Sequence, residues 1–227
     1  MAIGIISDIH GNYEALKAVL AELDRMEITE IYSLGDVVGY HTQINECCEE
    51  LIRRNIPNLM GNHDWYLAGG GFCARSKSVN DFLVYQRRII QEDNLNWLRA
   101  SAPQRVVETM HMVHGGWTNP IDEYLSEPSR EYFDRVQGEI FVSGHTHVQA
   151  VHHFGDKVYC NPGSVGQPRD GDPRSAFAVF DGEFTLHRVE YNMQVVFDLM
   201  EAAGFNDYYY GGLVTGARNL TRLPGSD

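Results

Sequence analysis

The sequence predicts an α/β protein in which two β-sheets pack face to face with helices on their outer sides. Three observations carry that expectation. Short apolar runs alternate with amphipathic helical stretches over residues 3–60, strand-like runs dominate after residue 105, and five polar clusters each close one of the apolar runs. Alternating strands and helices joined by short loops indicate a parallel-leaning core. Two strand-rich halves flanked by helices point to two sheets.

Residues 3–7 read as a buried first strand, and a helix follows over 12–26. Its Leu16, Val19, Leu20, Leu23 and Met26 recur at helical spacing, with Asn12 placed to cap the start. Residues 31–34 are a second strand, 44–55 a second amphipathic helix carrying Cys47, Cys48, Leu51 and Ile52, and 58–60 a short third strand. A helical insertion is expected near 79–100, where Phe82, Leu83, Tyr85, Ile89, Ile90, Leu95 and Leu98 supply the apolar positions. Strands are then expected over 106–108, 110–113, 140–142, 158–160, 176–180 and 185–189. Helices are expected over 130–136 and 193–203, ahead of a Gly- and Tyr-rich C-terminal segment near 204–227. With no repeat, low-complexity tract or linker, residues 1–227 read as a single domain.

Composition narrows the function classes. The 227 residues are 43% hydrophobic and 22% charged, as in an ordinary globular protein. A net charge of −13 disfavours non-specific binding to nucleic acid, which needs Lys/Arg surfaces. The start Met1-Ala2-Ile3-Gly4-Ile5-Ile6 lacks the pattern of a signal peptide, and no run is long enough to span a bilayer. Cys47, Cys48, Cys73 and Cys160 show no C-x-x-C spacing and read as reduced thiols. The expectation is a cytoplasmic protein with no membrane partner.

The clusters are Asp8-Ile9-His10, Gly35-Asp36, Gly61-Asn62-His63-Asp64, His114-Gly115-Gly116 and Gly144-His145-Thr146-His147. They supply carboxylates, imidazoles and an amide, the ligand types that suit divalent cations. Ligands of open α/β sheets collect beyond the carboxyl ends of strands, so clusters at strand ends converge although none are adjacent in sequence. A pair of metals acting on a phosphate ester needs a bridging carboxylate, terminal ligands and an open position for water. Singly each cluster is weak, since Asp is a common turn residue. Their ordered recurrence carries the reading.

The ordered set D-x-H, G-D, G-N-H-D, H-G-G and G-H-T-H resembles the calcineurin-like metallophosphoesterase superfamily over residues 3–181. Asn161-Pro162-Gly163-Ser164, following G-H-T-H, resembles its small stand-alone prokaryotic branch. The resemblance implies a four-layer α/β/β/α sandwich of two mixed sheets. It implies two divalent ions per chain, Mn²⁺ favoured, with Fe, Zn, Ni, Co or Mg as other occupants. Asp8, His10, Asp36 and His147 would hold the first ion, and Asp36, Asn62, His114 and His145 the second, making Asp36 the bridge. A metal-bridging hydroxide would attack the phosphorus of a small phosphomonoester, phosphodiester or nucleotide-type substrate, with His63 as general acid or transition-state donor beside the leaving group.

One departure matters. The protein-phosphatase and diadenosine-tetraphosphatase branches extend the second motif as G-D-x-x-D-R-G, whereas this chain has Gly39 and Tyr40 at the second Asp and the Arg. Those two activities are the weaker alternatives. A catalytically inactive scaffold of the same fold is a further alternative, opposed by retention of every ligand and of His63. The phosphate-gripping cation must come from elsewhere: Arg75 and Lys77 after Gly69-Gly70-Gly71, or Arg169 and Arg174 around Asp170-Gly171-Asp172-Pro173. Asn62, His63, Arg169 and Arg174 are the expected substrate contacts. His41 lies near Asp36 in sequence; His111, His152, His153 and His187 match no motif. Tyr208, Tyr209 and Tyr210 are expected to pack the C-terminal segment onto the body or onto a second copy in a homo-oligomer, stacking on a nucleobase being the other reading.

Overall fold

The computed structural model describes residues 2–217. In chain order the elements are β1 (Ile3–Ile6), α1 (Tyr13–Arg25), β2 (Glu30–Ser33), α2 (Ile44–Arg53), α3 (Asn62–Gly69), α4 (Lys77–Ile89), α5 (Glu92–Arg99), β3 (Gln104–Val107) and β4 (Met110–Val113). There follow α6 (Arg130–Phe133), β5 (Ile140–Val142), β6 (Ala150–Phe154), β7 (Lys157–Asn161), β8 (Ser175–Phe180), β9 (Phe184–Val189), α7 (Met193–Ala202), α8 (Asp207–Tyr210) and a 3₁₀ turn, Gly211–Thr215. Asn12 caps α1 as expected, its side chain accepting from the Ala15 amide at 3.1 Å.

The strands form two mixed sheets, ordered β2-β1-β8-β9 and β3-β4-β5-β7-β6. β1 and β2 are parallel, as are β4, β5 and β7; the β1–β8, β8–β9, β3–β4 and β6–β7 pairs are antiparallel. Strand side chains alternate between faces, and the sequence uses both. Ile3, Ile5 and Ala178 of the first sheet meet Met110, Met112, Val142 and Cys160 of the second in a shared core. Ile6, Phe177 and Val179 turn the other way, onto Leu16, Val19, Leu20 and Leu23 of α1. Phe141 and Tyr159 face outward from the second sheet and pack with Phe133 of α6. This is the α/β/β/α sandwich that the resemblance implied. Among the described residues no helix is long and apolar enough to cross a membrane.

Several elements differ from the sequence reading, α3 among them, since no helix was expected over residues 62–69. Residues 58–60 are not a strand but two isolated bridges, Ser33 to Asn58 and Leu59 to Ala102, because Gly61 at once opens α3. β6 was not expected: it pairs antiparallel with β7, and its exposed His152 and His153 hide any apolar alternation. The helical stretch near 79–100 is two helices, α4 and α5, broken at Ile90 and Gln91. The break is satisfied from a distance by Asn45 of α2. Its Nδ2 donates to the Ile89 carbonyl at 2.8 Å, and its Oδ1 accepts from the Gln91 amide at 2.9 Å and from Asn94 Nδ2 at 3.0 Å. The C-terminal segment near 204–227 contributes α8 and the 3₁₀ turn; its residues 218–227 lie outside the described ones.

Asn45→Ala strands these backbone groups at the junction of three helices. The expected loss is about 0.5–1.5 kcal/mol of unfolding free energy, read by urea denaturation; an unchanged midpoint would show that water replaces the amide without cost.

Candidate functional site

The carboxyl ends of β1, β2, β4 and β5 meet at one rim of the sandwich and deliver Asp8, Asp36, His114 and His145 there. The backbone at this rim is unusual. Asp8, His10, Asp36, His145 and His147 all adopt positive φ, between 54° and 65°. Left-handed backbone costs a residue with a side chain on the order of 1–2 kcal/mol. Five such residues at one rim mark a place where aiming side chains takes precedence over local comfort.

Each carboxylate has one oxygen held by the protein and one left bare. Asp8 Oδ2 accepts from Ser7 Oγ at 2.6 Å and from the His145 amide at 3.0 Å. Asp36 Oδ1 accepts from the His63 amide at 2.8 Å. Asp8 Oδ1 and Asp36 Oδ2 are buried without a hydrogen-bond partner. The imidazoles are set in the same way. Nδ1 of His10, His114 and His147 donates to the carbonyls of Val38, Leu34 and Gln167, at 2.9, 3.1 and 2.6 Å. A carbonyl only accepts, so in the neutral ring the proton sits on Nδ1 and the Nε2 lone pair faces the site.

Around His10, His147 and Asp8 the result is acceptors aimed at acceptors. His10 Nε2 lies 3.0 Å from His147 Nε2, which lies 3.2 Å from Asp8 Oδ1. On the other side, His114 Nε2 lies 3.2 Å from Asn62 Oδ1, 3.1 Å from His145 Nδ1 and 3.4 Å from Asp36 Oδ2. Asp36 Oδ2 is also 3.7 Å from His10 Nε2, so the bare oxygen faces both halves. Uncompensated lone pairs at these separations repel, and a cation between them removes the repulsion. The donor set of carboxylate, imidazole and amide suits divalent cations. Three groups, Asp8/His10/His147, His10/Asp36/His63 and Asp36/His114/His145, have ligand atoms close enough to hold a metal ion.

Protonation follows burial. Burial pushes His10 and His147 down, His145 down to about 3 and His63 down to about 4, leaving neutral rings at neutral pH. Burial opposes ionisation of Asp8 and Asp36, but the surrounding imidazoles hold both carboxyls below the usual range. His114 is the exception. Burial pushes it down, yet the Asp36 carboxylate outweighs that effect and holds it up at about 9. A proton on His114 then stands where a cation would otherwise balance Asp36.

Beside these groups is a cavity of about 580 Å³, lined by Asp36, Asn62, His63, His145 and His147 on the metal-ligand side, and further out by Tyr40, Arg75, Ser76, Tyr124, Arg169 and Tyr208. The structure thus brings together all seven expected ligands and His63. It brings Arg169 to the cavity but not Arg174, which is exposed and bonded to Asp172 at 2.6 Å. Arg75 reaches the wall with its guanidinium on Asp122, whereas Lys77 is not part of the lining. Tyr209 and Tyr210 are packing residues: one donates to Asp81 at 3.0 Å, the other stacks on Phe197 and donates to Glu201 at 2.7 Å. Tyr208 is exposed at the cavity mouth.

Residues outside the ligand set hold it in place. Asp64 accepts from the amides of Asp36 at 2.9 Å, Val38 at 3.2 Å and Gly61 at 3.3 Å, stitching the second and third clusters together. Asn161 donates to the Gly144 carbonyl at 2.8 Å, and Ser164 Oγ to the Asp8 carbonyl at 2.7 Å. Gln86 of α4 accepts from the Gly39 amide at 3.1 Å and donates to the His41 carbonyl at 2.7 Å. The motif spacing contained Asp64, Asn161 and Ser164; nothing in the sequence points to Gln86, whose partners are more than forty residues away. Gly39 also has a steric reason. A Cβ there would come within 2.5 Å of His63 Nδ1, so this loop excludes the Asp that other branches place at that position.

The model for the calcineurin-like phosphoesterase superfamily domain matches residues 1–183. The chain is 33% identical to an uncharacterized protein of Methanocaldococcus jannaschii over 229 residues, 86% of this chain and 90% of that one. It is 32% identical to the symmetrical bis(5'-nucleosyl)-tetraphosphatase of Paracidovorax citrulli over 151 residues, 61% of this chain but only 53% of that protein. A crystal structure of a metallophosphoesterase from Sphaerobacter thermophilus superposes with a TM-score of 0.85 at 30% identity, covering 96% of this chain and 99% of the other. A hypothetical protein from Pyrococcus horikoshii OT3 shares the fold with a TM-score of 0.84 at 18% identity, again over 96% and 99%.

Two outcomes are expected at this site. Mn²⁺ added to EDTA-treated protein raises Tm, by the equivalent of about 2.7 kcal/mol at a hundred times Kd, and releases protons that a pH indicator detects; a Tm indifferent to excess Mn²⁺ would contradict the reading of the bare acceptors. Asp64→Ala, though not a ligand, leaves three amides unpaired and lowers unfolding free energy by roughly 3 kcal/mol or more, measured in denaturant.

Proposed function

The chain belongs to the calcineurin-like phosphoesterase superfamily and is a hydrolase of phosphate esters, and from that premise we propose a binuclear metal-dependent phosphoesterase acting on a small phosphomonoester, phosphodiester or nucleotide-type substrate. The observation that carries the binuclear reading is Asp36 Oδ2, bare, buried and facing both the His10 side and the His114 side. Asp8, His10, Asp36 and His147 would hold one cation; Asp36, Asn62, His114 and His145 the other. Divalent ions there supply an activated water nucleophile and neutralise charge developing on the phosphoryl oxygens. Mn²⁺ is the occupant we favour among first-row metals.

The chain's own residues do the rest. Asp36 Oδ1 anchors the His63 amide, so the bridging candidate and the His63 backbone are set by one carboxylate. His63 is neutral at neutral pH, its Nδ1 packed toward Gly39. The opposite ring nitrogen, Nε2, is the atom that would donate to the leaving oxygen. The whole chain is read as one metallophosphoesterase domain. Its four cysteines are buried and free, in keeping with a reducing, cytoplasmic setting.

A panel of a phosphopeptide, a dinucleoside polyphosphate and bis(p-nitrophenyl) phosphate under Mn²⁺ tests the substrate reading. Turnover confined to the phosphopeptide would reverse the preference drawn from Gly39 and Tyr40. Turnover confined to the dinucleoside polyphosphate would move this chain toward the activity named for the Paracidovorax relative. His63→Ala is expected to lower kcat by about 10²- to 10⁴-fold while metal content stays at the wild-type level. Asp36→Ala or Asn62→Ala should abolish turnover, and near-normal activity in metal-saturated buffer would remove them from the ligand set.

A further inference from the structure

We propose that Arg169 is the non-metal anchor for the substrate's phosphoryl group, seated on Tyr40, the residue that stands where related branches carry their phosphate-gripping Arg. This rests on the phosphoesterase reading and deepens it.

Of the two arginines on the cavity wall, Arg75 is neutralised by Asp122. Arg169 is not: among the described residues no carboxylate lies within ion-pair distance of it. Its Nη2 donates to the neutral Gln167 Oε1 at 2.7 Å, and its buried Nε has no partner. A half-buried guanidinium without a counter-charge is costly, and a site keeps one where an anion will arrive. Arg174 and Arg188, close by in the fold, pair with Asp172 and Asp170. Arg169 is the cavity cation left for an incoming anion.

Its position matches the task. The guanidinium carbon lies 5.3 Å from the centre of the Tyr40 ring, and that ring is 4.6 Å from His10 and 4.8 Å from His63. Tyr40 therefore links the metal ligands and His63 to Arg169 in two contacts. The Arg169 amide donates to the His147 carbonyl at 3.1 Å, and the Gln167 carbonyl receives His147 Nδ1, so one short segment sets both the ligand and the cation. The loop after Asp36 supplies the aromatic seat, Tyr40, and the segment after Asn161-Pro162-Gly163-Ser164 supplies the charge, Arg169.

The test uses the full chain loaded with Mn²⁺ and inorganic phosphate as the probe, with binding measured by calorimetry and, in parallel, KM and kcat for bis(p-nitrophenyl) phosphate. Arg169→Ala is expected to weaken phosphate binding at least tenfold with metal content and Tm unchanged, and Arg169→Lys to recover part of the loss. Tyr40→Leu should weaken phosphate binding less, and mainly by loosening the guanidinium. Phosphate affinity within twofold of wild type in Arg169→Ala overturns the proposal, as does a loss that tracks metal content and Tm, which would assign Arg169 to scaffolding of His147. If wild-type protein binds phosphate through Arg169 but turns over no ester in the panel, the anchor stands and the hydrolase reading fails. Esters turned over with no dependence on Arg169 are the converse.

Discussion

The rim of this sandwich is organised around a repulsion that the protein alone does not relieve. Two imidazole nitrogens, His10 Nε2 and His147 Nε2, face each other at 3.0 Å beside the bare Asp8 Oδ1, and Asp36 Oδ2 lies between that group and the His114 side. Every proton that could have sat between them is committed to a backbone carbonyl behind. Lone pairs gathered in a buried place are unfavourable unless positive charge joins them. The left-handed backbone at five of the surrounding residues, the glycines at close approaches and the stitching by Asp64, Asn161 and Ser164 all serve to keep those atoms pointed inward.

That arrangement links the two sheets. His114, from β4, donates to the Leu34 carbonyl beyond β2, and the His145 amide, from the loop after β5, donates to Asp8 after β1. Hydrophobic packing between Ile5, Met112, Val142 and Cys160 brings the sheets together below, and polar bonds tie their upper edges. The site is thus a seam, and its geometry depends on how the sheets stack. A side chain far outside the seam can still matter: Gln86, on α4, bridges Gly39 and His41 and so connects the helical segment to the loop that carries Asp36.

The departure at Gly39 and Tyr40 acquires a physical meaning in the fold. Gly39, at φ +103°, gives His63 the room that a side chain would take, so His63 is held by its amide on Asp36 and by packing rather than by a second carboxylate. Tyr40 fills the neighbouring space with a ring that contacts His10, His63 and the Arg169 guanidinium. Two substitutions that look like losses along the chain are accommodated together, because each reshapes the same wall of the cavity.

Much of the fold was legible in the sequence. β1, α1, β2, α2, β4, β5, β8, β9 and α7 all follow from apolar periodicity, because burial on one face leaves a local signature. The helix at Asn62, the break at Ile90 and the edge strand β6 left none; Asn45 settles the break and β7 the strand from afar. For the candidate site, the order and types of the available ligand residues could be read along the chain, because ligand chemistry resides in side chains and short spacings. Which oxygen of each carboxylate stays bare, which nitrogen of His10 and His147 carries the proton, and that Arg169 rather than Arg174 lines the cavity all depended on the folded arrangement. Those are matters of direction and distance between segments far apart in the chain, and they exist only once two sheets have closed on one another.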